Sequence, residues 1–131
     1  MKLFTLSCLV FIILVSCQTK KKSMTIYQVL HNISMDLNEK CPIQIDSVIK
    51  LENSVAIPLS IFRYNYVLKY DTNKYDIREF KKSLEITTLN MAKTNPDGKI
   101  FKDLQTTLEY NFSDTLGYFL FRLVFKPDEY K

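Results

Sequence analysis

Downstream of residue 23 the chain alternates between two hydrophobic periods, and the switch points divide it into elements. Ile26, Leu30, Ile33 and Leu37 recur at steps of four, three and four, which places them on one stripe of a helix. The spacing predicts a helix from about Met24 to Glu39, with Ser23 as its N-cap. Pro42 lacks an amide proton and turns Cys41 away from helical angles, so the helix should stop near Lys40. Two strands are then expected, Val48 to Ile57 and Ile61 to Tyr70, joined through Pro58, Leu59 and Ser60. The second alternates most clearly. Phe62, Tyr64, Tyr66, Leu68 and Tyr70 fall on one face, and Arg63, Asn65 and Lys69 on the other.

Asp71 to Lys74 read as a turn, and Asp76 with Glu79 forms a capping-box pattern for a second helix. Ile77, Phe80, Leu84 and Met91 can face a core from that helix, and Asn95-Pro96-Asp97-Gly98 ends it. A short helical turn can follow at Ile100 to Leu104. Alternation returns at Leu108, Tyr110 and Phe112. Ser113 to Gly117 makes a turn, and Phe119, Phe121, Leu123 and Phe125 line the inner face of a last strand that Pro127 ends. The order is α-β-β-α-β-β. It predicts an α+β two-layer sandwich, a four-stranded antiparallel sheet with two helices on one face.

The amino end has a different pattern. Lys2 precedes an apolar run from Leu3 to Ser16, interrupted by Cys17, Gln18, Thr19 and three lysines. A charge followed by a short apolar run is the form of an export signal, and a membrane span needs about 20 residues. Leu14-Val15-Ser16-Cys17 resembles the lipobox of bacterial lipoproteins. The resemblance implies cleavage between Ser16 and Cys17 and a diacylglycerol thioether on the Cys17 sulfur. Each buried methylene adds about 0.8 kcal/mol of membrane affinity, so several acyl chains anchor stably. The expected organisation is a lipoprotein signal peptide over 1–16, a lipidated cysteine and basic tether over 17–23, and one domain over 24–131. Gln18, in place of an inner-membrane retention aspartate, implies the outer membrane of the cell envelope. The basic tether favours its periplasmic face.

Charge and cysteines change the picture only once these segments are set apart. The chain has 18 Lys plus Arg against 14 Asp plus Glu. Lys2, Lys20, Lys21 and Lys22 all precede residue 23, so the remainder is neutral and offers no case for a nucleic-acid partner. Cys8 leaves with the signal and Cys17 is acylated, so Cys41 remains alone, most simply as a buried inert thiol.

Asn38-x-x-Cys41-Pro42-x-x-Ile45-Asp46, Leu51, Tyr64-Asn65-Tyr66 and Leu108-Glu109-Tyr110-Asn111-Phe112 resemble small exported bacterial proteins of uncharacterised function. Those have the same order of elements and similar aromatic alternation in their second and third strands. The resemblance supports the fold and supplies no catalytic residues. His31 is the only histidine and has no companion at metal-ligand spacing. Cys41 lacks an adjacent base, while Asp36, Glu39 and Asp46 bracket a turn that such residues ordinarily cap. Asp114 is ordinary turn chemistry. No catalytic residue, cofactor or metal is expected. The second sheet face is expected to be open, with Tyr118, Leu120, Val124 and Val67 as a possible partner surface. The leading expectation is a non-catalytic envelope lipoprotein, anchored in the membrane through Cys17, that binds an envelope protein. A small-molecule or lipid binder comes second and an enzyme using Cys41 third, with the oligomeric state left open.

Overall fold

The computed structural model describes residues 23–69 and 76–131. In chain order the elements are α1 (Ile26–Asn38), β1 (Ile43–Gln44), β2 (Ile49–Ile57), β3 (Ile61–Leu68), α2 (Ile77–Thr94), a 3-10 turn (Pro96–Gly98), α3 (Lys99–Asp103), β4 (Thr107–Asp114), β5 (Phe119–Phe125) and α4 (Pro127–Tyr130). The signal, Ser16, Cys17, the lysine tether and Tyr70 lie outside the described residues.

Helix α1 starts two residues later than Ser23 would place it. Thr25 Oγ1 accepts from Gln28 N at 3.2 Å, and Thr25 N donates to Gln28 Oε1 at 2.9 Å. This reciprocal box satisfies two amide donors, whereas Ser23 has Ile26 at the matching position and can form no such pair. Asp76 caps α2, but its carboxylate accepts from Arg78 N at 2.8 Å rather than closing the box with Glu79 that its spacing suggests.

The α+β class holds, but the sheet is five-stranded and mixed, in the order β1-β2-β3-β4-β5. Adjacent strands are antiparallel except β3 and β4, which run parallel in the register Tyr64↔Tyr110 and Tyr66↔Phe112. This corrects the four-stranded antiparallel expectation. Helix α2 carries the chain back to the end of the sheet where β3 began, so β4 must follow the same direction. The added strand, β1, pairs only Ile43 with Leu51 and Gln44 with Lys50, too short to show alternation. Pro127 ends β5 and also opens α4, where its missing amide proton costs nothing.

Both long helices cover one face. Leu30, Phe62, Leu68, Leu108, Phe112, Phe121, Leu123 and Phe125 form the core beneath them, with Phe101 and Tyr130 closing it. The Tyr130 hydroxyl donates to the carbonyls of Thr106 and Phe101. Ile77, Phe80 and Leu84 pack against the core as expected, while Met91 is largely exposed. Phe119 was expected to face inward and is exposed instead. The register shifts between Phe112↔Phe121 and Ser113↔Phe119. The extra residue, Leu120, reverses the alternation and turns Phe119 to the outer face.

Because β1 is so short, most of the β2 edge lacks a strand neighbour, and α1 supplies substitutes. Asn38 Oδ1 accepts from Ser54 N at 2.6 Å, and Asn38 Nδ2 donates to Ser54 O at 2.9 Å. One side-chain amide thus pairs with both backbone groups of a strand residue, as another strand would. Ser34 Oγ adds a bond to Ser54 O at 2.9 Å. Replacing Asn38→Ala leaves Ser54 N–H without this partner under the helix. A loss of about 1–3 kcal/mol is expected in urea unfolding, and a loss within error would show that water substitutes for the amide.

Candidate functional site: a groove with an aromatic floor

Helix α1 lies over β2, while α2 lies toward β5 and α4. The central parallel pair β3–β4 is consequently roofed less closely than the sheet's flanks. The result is a groove of about 680 Å³ between the helices. Its walls are Ile33 and Leu37 of α1 and Leu84, Thr88, Met91 and Ala92 of α2. At one end stand Ile45, Asp46 and Ile49, and at the other Gly98, Ile100 and Phe101. The floor runs in sheet register from the level of Ile49, opposite Leu68, to Leu108, opposite Phe62. That separation of six strand residues is about 20 Å.

Tyr64, Tyr66, Tyr110 and Phe112 pave the floor. Tyr64 stacks on Tyr110 at 5.1 Å between ring centroids, and Tyr66 on Phe112 at 5.2 Å. These contacts follow from the parallel register, which sets like positions of neighbouring strands side by side. None of the three tyrosine hydroxyls has a hydrogen-bond partner among the described residues. No buried side-chain polar atom there is unsatisfied, so these hydroxyls open into the groove. Burial pushes Tyr66 up to about 12, with the Cys41 thiol a smaller cause. Burial, then the neighbouring phenols, holds Tyr64 and Tyr110 higher still. The floor therefore presents neutral hydroxyls on an apolar surface. Around it stand three carboxylates, Asp36, Asp46 and Asp97, against one ammonium, Lys40. This arrangement suits an elongated apolar occupant with basic flanks.

The residues singled out in the sequence fall mostly outside this groove. His31 stacks on Tyr27 at 5.8 Å on the exposed side of α1. Cys41 is partly exposed rather than buried as expected, and desolvation, then the Glu52 carboxylate, push its thiol up, away from a nucleophilic thiolate. Glu39 is the C-cap of α1. Asp46 lines the groove while its carboxylate accepts from the amides of Val48 and Ile49, each at 2.7 Å. Asp114 accepts from the amides of Leu116 and Tyr118, and Gly117 takes the left-handed φ of 87° that this turn needs. Among the described residues no group of three or more His, Cys, Asp or Glu side chains is placed to hold a metal.

The outer sheet face carries Val67 and Val124, but Leu120 packs against the core at the bulge and Tyr118 precedes β5. The four are not brought into one strip. Between the valines runs a polar band, in which Arg63 Nε donates to Glu109 Oε2 at 2.7 Å and Arg122 Nε to Asn111 Oδ1 at 3.1 Å. Glu109 is only 12% exposed there.

No protein-family model matches the chain, and no curated protein is significantly similar to it. Three solved structures share its fold. A Pseudomonas aeruginosa protein described as secreted superposes with a TM-score of 0.70 at 10% identity, over 81% of this chain and 93% of its own. The type 2 secretion system pilotin EpsS of Vibrio vulnificus gives 0.65 at 9%, covering 81% and 92%. The type II secretion system pilotin AspS of Vibrio cholerae gives 0.62 at 13%, covering 79% and 91%. At these identities the likeness concerns architecture alone.

Proposed function

We propose that the protein is a non-catalytic lipoprotein of the bacterial envelope, anchored through Cys17, that seats an amphipathic helix of a protein partner in the groove. The observation that carries this reading is the groove itself. Its length of about 20 Å matches about 13 helical residues at 1.5 Å each. A helix laid between two helices buries one apolar face and leaves the other in water, a recurring mode of peptide recognition. The acidic rim favours a partner helix with lysine or arginine flanking its apolar stripe. The lipobox resemblance of Leu14-Val15-Ser16-Cys17 supports the anchor, with cleavage after Ser16, while Gln18 and the basic tether favour the periplasmic side of the outer membrane. Two of the structures sharing the fold are pilotins of type II secretion systems, which supports a component of a secretion assembly as the partner. A second reading, an envelope protein binding a small apolar molecule or lipid, draws on the groove's volume, which lies within the usual range for ligand sites.

Thr88→Trp tests the site, since it places an indole in the groove without removing a core side chain. In-cell crosslinking and affinity capture of the native chain should recover one envelope protein, and the Thr88→Trp protein should lose it while unfolding at the same urea concentration. Equal recovery with the blocked groove would move the interface elsewhere. An apolar metabolite co-purifying in native mass spectrometry, displaced by Thr88→Trp, would favour the second reading. Capture alongside Cys17→Ala separates the contributions of anchor and groove.

A further inference from the structure

The domain has two ends, and the positions of Ser34 and Ser54 identify the one at which the anchor leaves. Ser34 and Asn38 bond Ser54 midway along β2, and beyond Cys41 the chain reaches Leu51 through β1. Helix α1 therefore runs opposite to β2, and its amino end points toward the β2–β3 turn. From Ser34 back to Ile26 is about 12 Å of helix, and from Ser54 forward to Ile57 about 10 Å of strand. The first turn of α1 thus stands level with the end of β2 and with the turn at Pro58, Leu59 and Ser60.

This end is apolar and exposed. Leu59 is 93% exposed, Met24 60%, and Ile26 and Tyr27 are exposed with them. Leu59 is also held in place. It takes a left-handed φ of 68° and Ser60 one of 57°, a conformation that residues with a Cβ seldom adopt. Ser60 fastens the turn to the neighbouring segment. Its carbonyl accepts from Thr107 N at 2.8 Å, and its hydroxyl donates to Leu104 O at 3.1 Å. A leucine displayed outward on a clamped, strained turn is unusual where nothing covers it.

We infer that this end, with Leu59 at its tip and Ile26 and Tyr27 on the first turn of α1, rests on the lipid bilayer that holds Cys17. The inference depends on the lipid anchor proposed above. From Cys17 to Thr25 the backbone can span at most about 28 Å, so the amino end of α1 cannot stand farther than that from the acylated sulfur. Lys20, Lys21 and Lys22 lie within that span and complement anionic headgroups. Apolar side chains at such a surface settle about 5–10 Å into the boundary between headgroups and acyl chains. With this end down, the groove runs away from the membrane between α1 and α2 and stays open to a partner.

The chain contains no tryptophan, so one introduced indole reports its own surroundings. The test uses full-length Leu59→Trp and Ile26→Trp proteins, with Leu116→Trp at the opposite end of the sheet, where Leu116 is 79% exposed. Each is made with its signal and reconstituted into phosphatidylethanolamine–phosphatidylglycerol vesicles containing brominated acyl chains. Emission from Leu59→Trp and Ile26→Trp is expected to shift to the blue and be quenched, and that from Leu116→Trp to remain as in water. Equal quenching at both ends, or water-like emission from Leu59→Trp, overturns the docking of this end. A blue shift already present without vesicles overturns it in favour of contact between protein copies. The amino-terminal peptide mass and flotation with vesicles report the anchor separately. An unacylated protein overturns the inference through its anchor, whereas an acylated, floating protein with its indole in water overturns only the orientation.

Discussion

Truncating Phe62→Ala is expected to cost about 3–5 kcal/mol, the range for removing a fully enclosed aromatic side chain. Phe62 is completely buried on β3, with ring centroids 5.0 Å from both Tyr64 and Phe101. It thus joins the sheet to α3 and backs the groove floor. The loss combines the transfer free energy of the ring with the cavity left between rigid neighbours. Native domains have about 5–15 kcal/mol in total, so urea unfolding should show a large fall in midpoint. Phe62→Leu retains most of the volume and should lose less than half as much. A loss below about 1.5 kcal/mol for Phe62→Ala, the size of a tolerated volume-conserving swap, would mean that α3 collapses onto Leu108 and fills the space.

Those elements that one-sided burial writes into the chain were legible. The alternation from Phe62 to Leu68 marks a strand with one covered face, and β3 spans Ile61–Leu68 with its aromatic positions inward. The stripe through Leu30 and Ile33 likewise marks α1. Alternation fixes which face a residue occupies, but it says nothing about strand direction, so the parallel pairing of β3 with β4 was not visible. It could have been inferred from α2, because a helix of 18 residues between neighbouring strands is what a parallel crossover requires. The bulge at Leu120 was hidden for a related reason. A continuous apolar sequence from Tyr118 to Phe121 fits either phase of a strand, and hydrogen-bond register decides between them.

The groove was half legible. Alternation puts Tyr64, Tyr66 and Tyr110 on the helix-covered face, where they look like packing residues, because the separation of α1 from α2 is a property of their placement on β2 and near β5. The signal available in the sequence is the choice of tyrosine. Phe62 and Phe112 flank the three positions on the same strands and are fully enclosed, while a buried phenol ordinarily needs a partner for its hydroxyl. Three inward tyrosines with nothing nearby to bond imply water, hence an opening above them. Tyr130 shows the contrast, since its hydroxyl is enclosed and bonds two carbonyls.

The same phenols should make the domain unfold abruptly in alkali. Burial pushes Tyr66 and Tyr130 up to about 12 and Tyr64 and Tyr110 higher, whereas a tyrosine in the unfolded chain ionises near 10. Well below about pH 10 both states keep their phenolic protons and the tyrosines' contribution to stability is fully present. Above it unfolding releases protons, so stability falls as pH rises toward the native values, by up to about 1.4 kcal/mol per pH unit for each tyrosine. Four together approach about 5.5 kcal/mol per unit, enough to exhaust an ordinary domain's stability within about one to three units. Urea unfolding should give free energies that slip slightly above about pH 8.5, where the unfolded Cys41 thiol ionises before the native one, and fall steeply above about pH 10, and tyrosinate from these residues should appear only as near-ultraviolet dichroism is lost. Replacing Tyr64, Tyr66 and Tyr110 together by Phe removes three of the four groups and should flatten that decline to about a quarter of its slope. If the triple variant declines as steeply as the native chain, other groups govern its alkaline stability, and the floor hydroxyls already ionise freely into the water of the groove.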